Sequence, residues 1–246
     1  MLRIESAGAS DRGHRRCDNQ DRYFTGDGCF AVADGVGGRA GGDVAAQLTM
    51  DVMCCLARRP SGFDLSSAVR TANTEVHYFG RETPELRGLA TTITAVQVLE
   101  SGSAHVVRVA NVGDSRLYLI RDGGLSQLTI DDAEITTLSV GGTVRRRRVL
   151  TRALGLEPTI EVPTEVHLLV EGDRLILCTD GVTDELSEDE LLDAAGGEWS
   201  AQQQVAEDIV RAAVNAGGRD NATAVVIDVV GGPDPRPCRS FQRRAA

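Results

Sequence analysis

Apolar residues recur with two different periods along this chain. Between Gly42 and Arg58, Val44, Leu48, Val52 and Cys55 return every three or four residues, the spacing that lays one stripe along a helix. Leu65–Arg81, Glu188–Ala195 and Ala201–Ala216 are predicted to be helical as well. Elsewhere, β-rich runs bounded by glycine turns predict strands. Thr91–Leu99, Ser103–Ala110, Arg116–Arg121 and Gly124–Leu128 follow one another in this way, which predicts an antiparallel meander. Cys29-Phe30-Ala31 continues through Val32 to Asp34 as a short strand broken by Gly35-Val36-Gly37-Gly38, and Arg174–Thr179 and Ala222–Val230 are further strands. Helices come in adjacent pairs and strands in adjacent runs, so an antiparallel α+β layered fold is expected rather than a regular parallel α/β sheet. Residues 1–230 are expected to form one domain, and the Gly-, Pro- and Arg-rich residues 231–246 a frayed, flexible C-terminal tail.

Composition narrows the function classes. The formal net charge of −10 argues against general nucleic-acid binding. No apolar run is long enough to span a bilayer, and Met1-Leu2-Arg3-Ile4-Glu5-Ser6 lacks the apolar core of a secretion signal, so a cytoplasmic protein is expected. Cys17, Cys29, Cys54, Cys55, Cys178 and Cys238 form no C-x-x-C pair, which gives a zinc site poor support. Cys29 and Cys178 lie in apolar runs and are expected to be reduced core residues. A monomer is the default, because no long exposed apolar face stands out.

The candidate chemistry is acidic. Strand-like segments end in aspartate beside a small or polar turn residue at Val32-Ala33-Asp34-Gly35, Val112-Gly113-Asp114-Ser115, Cys178-Thr179-Asp180-Gly181 and Arg219-Asp220-Asn221. Singly, each is an ordinary turn former. Jointly, aspartates at the ends of several strands can converge at one sheet edge, where their repulsion is relieved by hard divalent cations that prefer oxygen ligands. Two such cations can hold a hydroxide and clamp a phosphoryl oxygen.

An ordered series of motifs carries a resemblance. Ser10-Asp11-Arg12-Gly13-His14-Arg15-Arg16-Cys17-Asp18-Asn19-Gln20-Asp21, Ala33-Asp34-Gly35-Val36-Gly37-Gly38 and Ala90-Thr91-Thr92 come first. Asn111-Val112-Gly113-Asp114-Ser115-Arg116, Leu150-Thr151-Arg152-Ala153-Leu154-Gly155, Thr179-Asp180-Gly181-Val182-Thr183-Asp184 and Asp220-Asn221-Ala222-Thr223 follow. Over roughly Ile4 to Val230 the chain resembles the metal-dependent serine/threonine protein phosphatases of type 2C, in their bacterial single-domain form.

That resemblance implies a four-layer α/β/β/α sandwich, two antiparallel sheets flanked by pairs of antiparallel helices, with Mn2+ or Mg2+, two or three ions, at one end. It implies that Asp34 bridges two metals, that the Gly35 carbonyl ligates one, and that Asp180 and Asp220 hold the other. Asp114 matches the ligand of a third, weaker metal. Asn221, Asp184 and Gln20 are assigned to the surroundings of the ligands, and Asp21 to orienting water. Arg16 is the implied phosphate clamp, since a guanidinium fork matches two phosphate oxygens. The implied reaction is direct hydrolysis of phosphoserine or phosphothreonine by a metal-bridging hydroxide, with Cys17 dispensable. The implied partners are phosphorylated proteins, substrates of a serine/threonine kinase and the kinase itself among them.

This chain departs from the family at several places. Gln20 stands where many members have glutamate, and Val36 where many eukaryotic members have a histidine proposed as general acid. The flap segment between Asp131-Asp132 and Leu150 is short and ends in Arg145-Arg146-Arg147-Arg148. Those arginines read either as a solvated basic loop or as a patch near the metal edge that selects phosphorylated or acidic substrates. Three other readings compete. Gly35–Ala40 fits a loose dinucleotide-binding pattern without its βαβ context. Gly113-Asp114-Ser115 resembles a nucleophile block, but His14, His77, His105 and His167 sit in no recognisable partner motif. The third is a catalytically weak phosphatase-like domain that binds phosphoproteins as a regulatory module.

Overall fold

A computed structural model of the chain describes residues 2–26, 28–36, 41–59, 62–101, 104–140, 143–196 and 201–231. In chain order these form β1 (Leu2–Asp11), β2 (Arg22–Gly26), β3 (Cys29–Ala33), α1 (Gly42–Ala57), α2 (Leu65–Glu82), β4 (Ile93–Ser101), β5 (Ala104–Val112) and β6 (Arg116–Arg121). There follow β7 (Gly124–Gln127), β8 (Ala133–Val140), β9 (Thr143–Leu150), β10 (Thr164–Leu169), β11 (Arg174–Cys178), α3 (Asp180–Thr183), α4 (Glu188–Ala194), α5 (Gln202–Ala216) and β12 (Ala222–Gly231). Two five-stranded sheets have the orders β1-β12-β11-β6-β7 and β10-β5-β4-β3-β2, and every pairing in them is antiparallel.

The layers follow from the two-residue alternation of strands covered on both faces. On β3, Phe30 and Val32 join Val96, Val107, Leu175, Leu177, Val225 and Ile227 in a core between the sheets. The alternate residues Cys29, Ala31 and Ala33 face Met50, Met53, Leu65 and Val69 of α1 and α2. On the other side, Ile176 and Cys178 of β11 pack with Leu191 of α4 and Val205, Ile209 and Val210 of α5. Three apolar layers between four structural layers make the expected α/β/β/α sandwich. Caps mark two helix starts. The Asp64 carboxylate accepts from the Ser67 N–H at 2.8 Å, and Ser187 with Glu190 forms a reciprocal capping box before α4.

Three expectations change. The buried face of α1 consists of Gly42, Ala45, Ala46, Thr49, Met50 and Met53, not the Val44, Leu48, Val52, Cys55 stripe. Val44 and Leu48 instead pack beside Leu86 and Leu89, Val52 is half-buried, and Cys55 is exposed. Ala46, Met50 and Met53 of that face pack with Cys29, Ala31 and Ala33 of β3, and the stripe lies to the side. The predicted meander is two hairpins in different sheets: β4 pairs with β5, and β6 pairs with β7. Between them Gly113, at φ 111°, turns the chain out of one sheet and into the other. A Cβ there would lie 2.6 Å from the Thr92 side chain. The flap is likewise no loop, but the hairpin β8–β9, which forms a two-stranded sheet of its own.

Strand β12 runs through Gly231, one residue past the expected domain end; residues 232–246, with Cys238, lie outside the described residues. No helix among the described residues is long and apolar enough to cross a membrane.

Candidate metal centre

The acidic turns meet at one end of the sandwich. β3 delivers Asp34, and β11 runs directly into α3, whose first residue is Asp180. Asp220 and Asn221 immediately precede β12, and the 12–21 segment crosses the same end. Each turn is held by neighbouring motifs. The Asp34 N–H donates to Thr92 Oγ1 at 3.0 Å, while Thr91 Oγ1 and the Thr92 N–H donate to the Asp34 carbonyl at 2.7 and 2.8 Å. Gly35 donates from its N–H to the Gln20 carbonyl at 3.3 Å and bridges to Thr91.

Asn221 fastens the incoming loop. Its Nδ2 donates to the carbonyls of Arg12 and Asp18 at 2.8 and 3.0 Å, and its Oδ1 accepts from the Gln20 N–H at 2.8 Å. With every amide atom engaged by backbone, Asn221 supports the turns. At the same point Gly181 packs so tightly that an added Cβ would lie 1.9 Å from the Asn221 carbonyl oxygen. Gly181→Ala must therefore push α3 and Asp180 away from β12. The cost expected for such overpacking is about 2–3 kcal/mol, read as a melting point roughly 5–10 °C lower together with weaker Mn2+ binding. A variant that melts and binds Mn2+ like the unsubstituted chain would refute this packing.

The carboxylates are crowded and short of donors. Asp21 is buried; its Oδ2 accepts from Thr179 Oγ1 at 2.8 Å and Thr223 Oγ1 at 2.7 Å, but Oδ1 is buried with no donor. Asp180 Oδ1 is in the same position. Desolvation pushes the Asp21 carboxyl up to about 6, against the two threonine hydroxyls, and neighbouring Asp220 adds to the rise. Desolvation, then the charges of Asp114, Asp184 and Asp220, push Asp180 up to about 7, although its contact with Asp34 opposes this. Asp34 keeps one edge open to solvent, yet its carboxyl is raised well above the usual range by desolvation and then by Asp180 and Asp21.

Such a cluster is the chemistry a hard divalent cation relieves, and the donorless oxygens of Asp21 and Asp180 fit that role. Among the described residues no three carboxylate, imidazole or thiolate side chains are grouped so as to hold a metal ion by themselves. Mg2+ and Mn2+ keep water among their ligands and take only a few from protein. The residues fit such ions: the donorless oxygens of Asp21 and Asp180 lie with the crowded carboxyl of Asp34 at one place.

Arg16 reaches the cluster, donating to Asp220 Oδ2, and that bond holds its guanidinium above its ordinary value. The Gln20 side chain lies against Gly42, beside Gly35. Asp114 is buried at the rim, its carboxyl raised by desolvation and lowered by Arg148. Asp184 closes α3, where its N–H donates to the Asp180 carbonyl at 2.7 Å. Val36 donates from its N–H to the Ala90 carbonyl, and Gly37 to Ala40 lie outside the described residues.

Two groups escaped sequence reasoning. Thr179 and Thr223, which grip Asp21, lie inside recognised motifs but had no role. Asp131 served only as a flap boundary, yet its carboxylate accepts from Arg116 Nε and Nη2 at 3.0 and 2.8 Å and from Arg148. The doublet Asp131-Asp132 beside the basic run was the available signal.

Competing sites fall away. β3 is paired antiparallel on both sides, which leaves no βαβ unit behind Gly35. Ser115 is buried, its hydroxyl 2.9 Å from Thr92 Oγ1. Cys29 and Cys178 are fully buried and in no disulfide, and burial pushes Cys178 up to about 12, so it supplies no thiolate.

The profile of the family Protein phosphatase 2C matches residues 9–216. The chain is 36% identical over 244 residues to the serine/threonine protein phosphatase PstP of Mycobacterium tuberculosis, covering 93% of this chain and 46% of that protein. It thus spans about half of that relative's length. With the serine/threonine phosphatase stp of Listeria monocytogenes it shares 30% identity over 244 residues, 89% of this chain and 93% of that protein. A solved structure of the PstP catalytic domain in complex with two manganese ions matches with a TM-score of 0.79 and 32% identity, covering 94% of this chain and all of that one.

Proposed function

Given that the chain belongs to the protein phosphatase 2C family, we propose that it hydrolyses phosphoserine and phosphothreonine in proteins, using Mn2+ or Mg2+ held by Asp34, Gly35, Asp180 and Asp220. The observation that carries this reading is the meeting of Asp34, Asp180 and Asp21 as mutually repelling carboxylates, with Arg16 on their rim. Two bound divalent ions would supply a deprotonated water as nucleophile and positive charge for the phosphoryl oxygens.

The chain's own residues do the rest. Arg16 turns the fork of its guanidinium to two phosphate oxygens, orienting the phosphoryl group for in-line attack. Asp21, gripped by Thr179 and Thr223, keeps its donorless Oδ1 available to orient water. Asn221 holds the loop that carries Arg16 against Asp220. No protein nucleophile is required. Exposed Cys17 has no part in the step. Substrates are proteins phosphorylated by a serine/threonine kinase, the kinase itself among them.

The test is release of phosphate from a phosphothreonine peptide with Mn2+ or with EDTA. Turnover is expected only with Mn2+, and Arg16→Ala is expected to lower kcat/KM about 100-fold. Unchanged kcat/KM would remove Arg16 from the phosphate. Tight peptide binding without turnover in the unsubstituted chain would replace the enzyme by a phosphoprotein-binding module.

A further inference from the structure

The third-metal position does not fit an ion in this chain. Asp114, Asp131 and Asp184 bring three carboxylates to the rim beside Asp180, and one guanidinium touches all of them. Arg148 Nε lies 3.2 Å from Asp114 Oδ2 and Nη1 lies 3.1 Å from Asp184 Oδ1, while Nη2 donates to Asp131 Oδ2. Asp131 also receives Arg116, so two arginine charges are set against these three carboxylates. A divalent ion between Asp114 and Asp184 would have to displace Arg148 or sit against its fixed charge.

We propose that the Arg148 guanidinium stands in for a third metal ion at Asp114 and Asp184, leaving this chain with two ions. The same contact docks the flap. Among the described residues β8 and β9 form a two-stranded sheet that pairs with no other strand. Arg148, near the end of β9, ties that hairpin to the metal rim through ion pairs. An arginine has a fixed stoichiometry of one and needs no ion in solution, so much of the rim's negative charge is offset at any metal concentration.

The inference rests on the two-ion reading above, and counting bound ions separates the two. Mn2+ stoichiometry is measured by titration calorimetry and native mass spectrometry on the unsubstituted chain, Arg148→Gln, Arg148→Lys and Arg148→Gln/Asp114→Asn. The expected counts are two, three, two and two, the third ion of Arg148→Gln binding at least about tenfold more weakly than the others. Three ions in the unsubstituted chain, or no third ion in a folded Arg148→Gln, overturns the stand-in while leaving the two-ion centre intact. No Mn2+ on the unsubstituted chain overturns both. A count of three on the unsubstituted chain overturns the stand-in even if no variant folds.

Discussion

Asp180→Asn is expected to release phosphate from a phosphothreonine peptide at least about 1000-fold more slowly than the unsubstituted chain, and yet to melt at a higher temperature in EDTA. The two effects have one cause. Without metal, the charge of Asp180 stands against Asp34 and Asp114, and its Oδ1 is buried with no donor. An asparagine of nearly the same shape removes one negative charge and offers an amide N–H to these acceptors. Removing that charge lowers the cost of the metal-free fold and deletes a proposed metal ligand in the same step. A misfolded variant would lose activity and stability together, so the opposite signs exclude that explanation. Asp180→Asn with undiminished Mn2+-dependent turnover would sink the assignment of Asp180 as a ligand. A lower melting point in EDTA would sink the repulsion argument.

Metal removal should destabilise the chain more as pH rises. Asp180 and Asp21 are raised from an ordinary value of 3.8 to about 7 and about 6, with Asp34 raised in the same direction. A raised carboxyl means that between pH 4 and 7 the folded chain binds more protons than the unfolded chain. Its metal-free stability therefore falls as pH climbs through that window and has lost this contribution above about pH 7. Protons and divalent ions compete for the same oxygens, so the ions stabilise most where the protons have left. The difference in melting temperature between Mn2+-loaded and EDTA-treated protein should be small at pH 5.5 and larger at pH 8, by about 5–10 °C. Scanning calorimetry at the two pH values checks this. A difference that is constant, or that shrinks towards pH 8, would mean that the ions bind away from these carboxylates.

Much of this architecture is readable from local pattern. α2 and β6 fall within one residue of their expected bounds, because helix caps, glycine turns and apolar alternation act over a few neighbouring residues. β1 went unread. Leu2–Asp11 mixes charged and small residues with few apolar ones, since its partly buried residues lie along the edge of a sheet. The spacing of Val44, Leu48, Val52 and Cys55 marks a helix but not the side that it buries, and α1 turns Ala46, Met50 and Met53 to β3 instead.

The site divides in the same way. That Asp34, Asp180 and Asp220 belong together was legible from the order of their motifs, each an aspartate in a short turn beside a strand. The partners that define their chemistry were not. Thr179 and Thr223 grip Asp21 from more than 150 residues away, and Arg148 meets Asp114, Asp131 and Asp184 only because β9 folds back over the rim. Turn residues and motif order are written along the chain, so they carried the family resemblance, and that resemblance singled out the aspartates. Desolvation, repulsion between carboxylates and the placing of a guanidinium depend on distances between segments remote in sequence. Packing two sheets sets those distances, and with them how many ions the acidic end has room to hold.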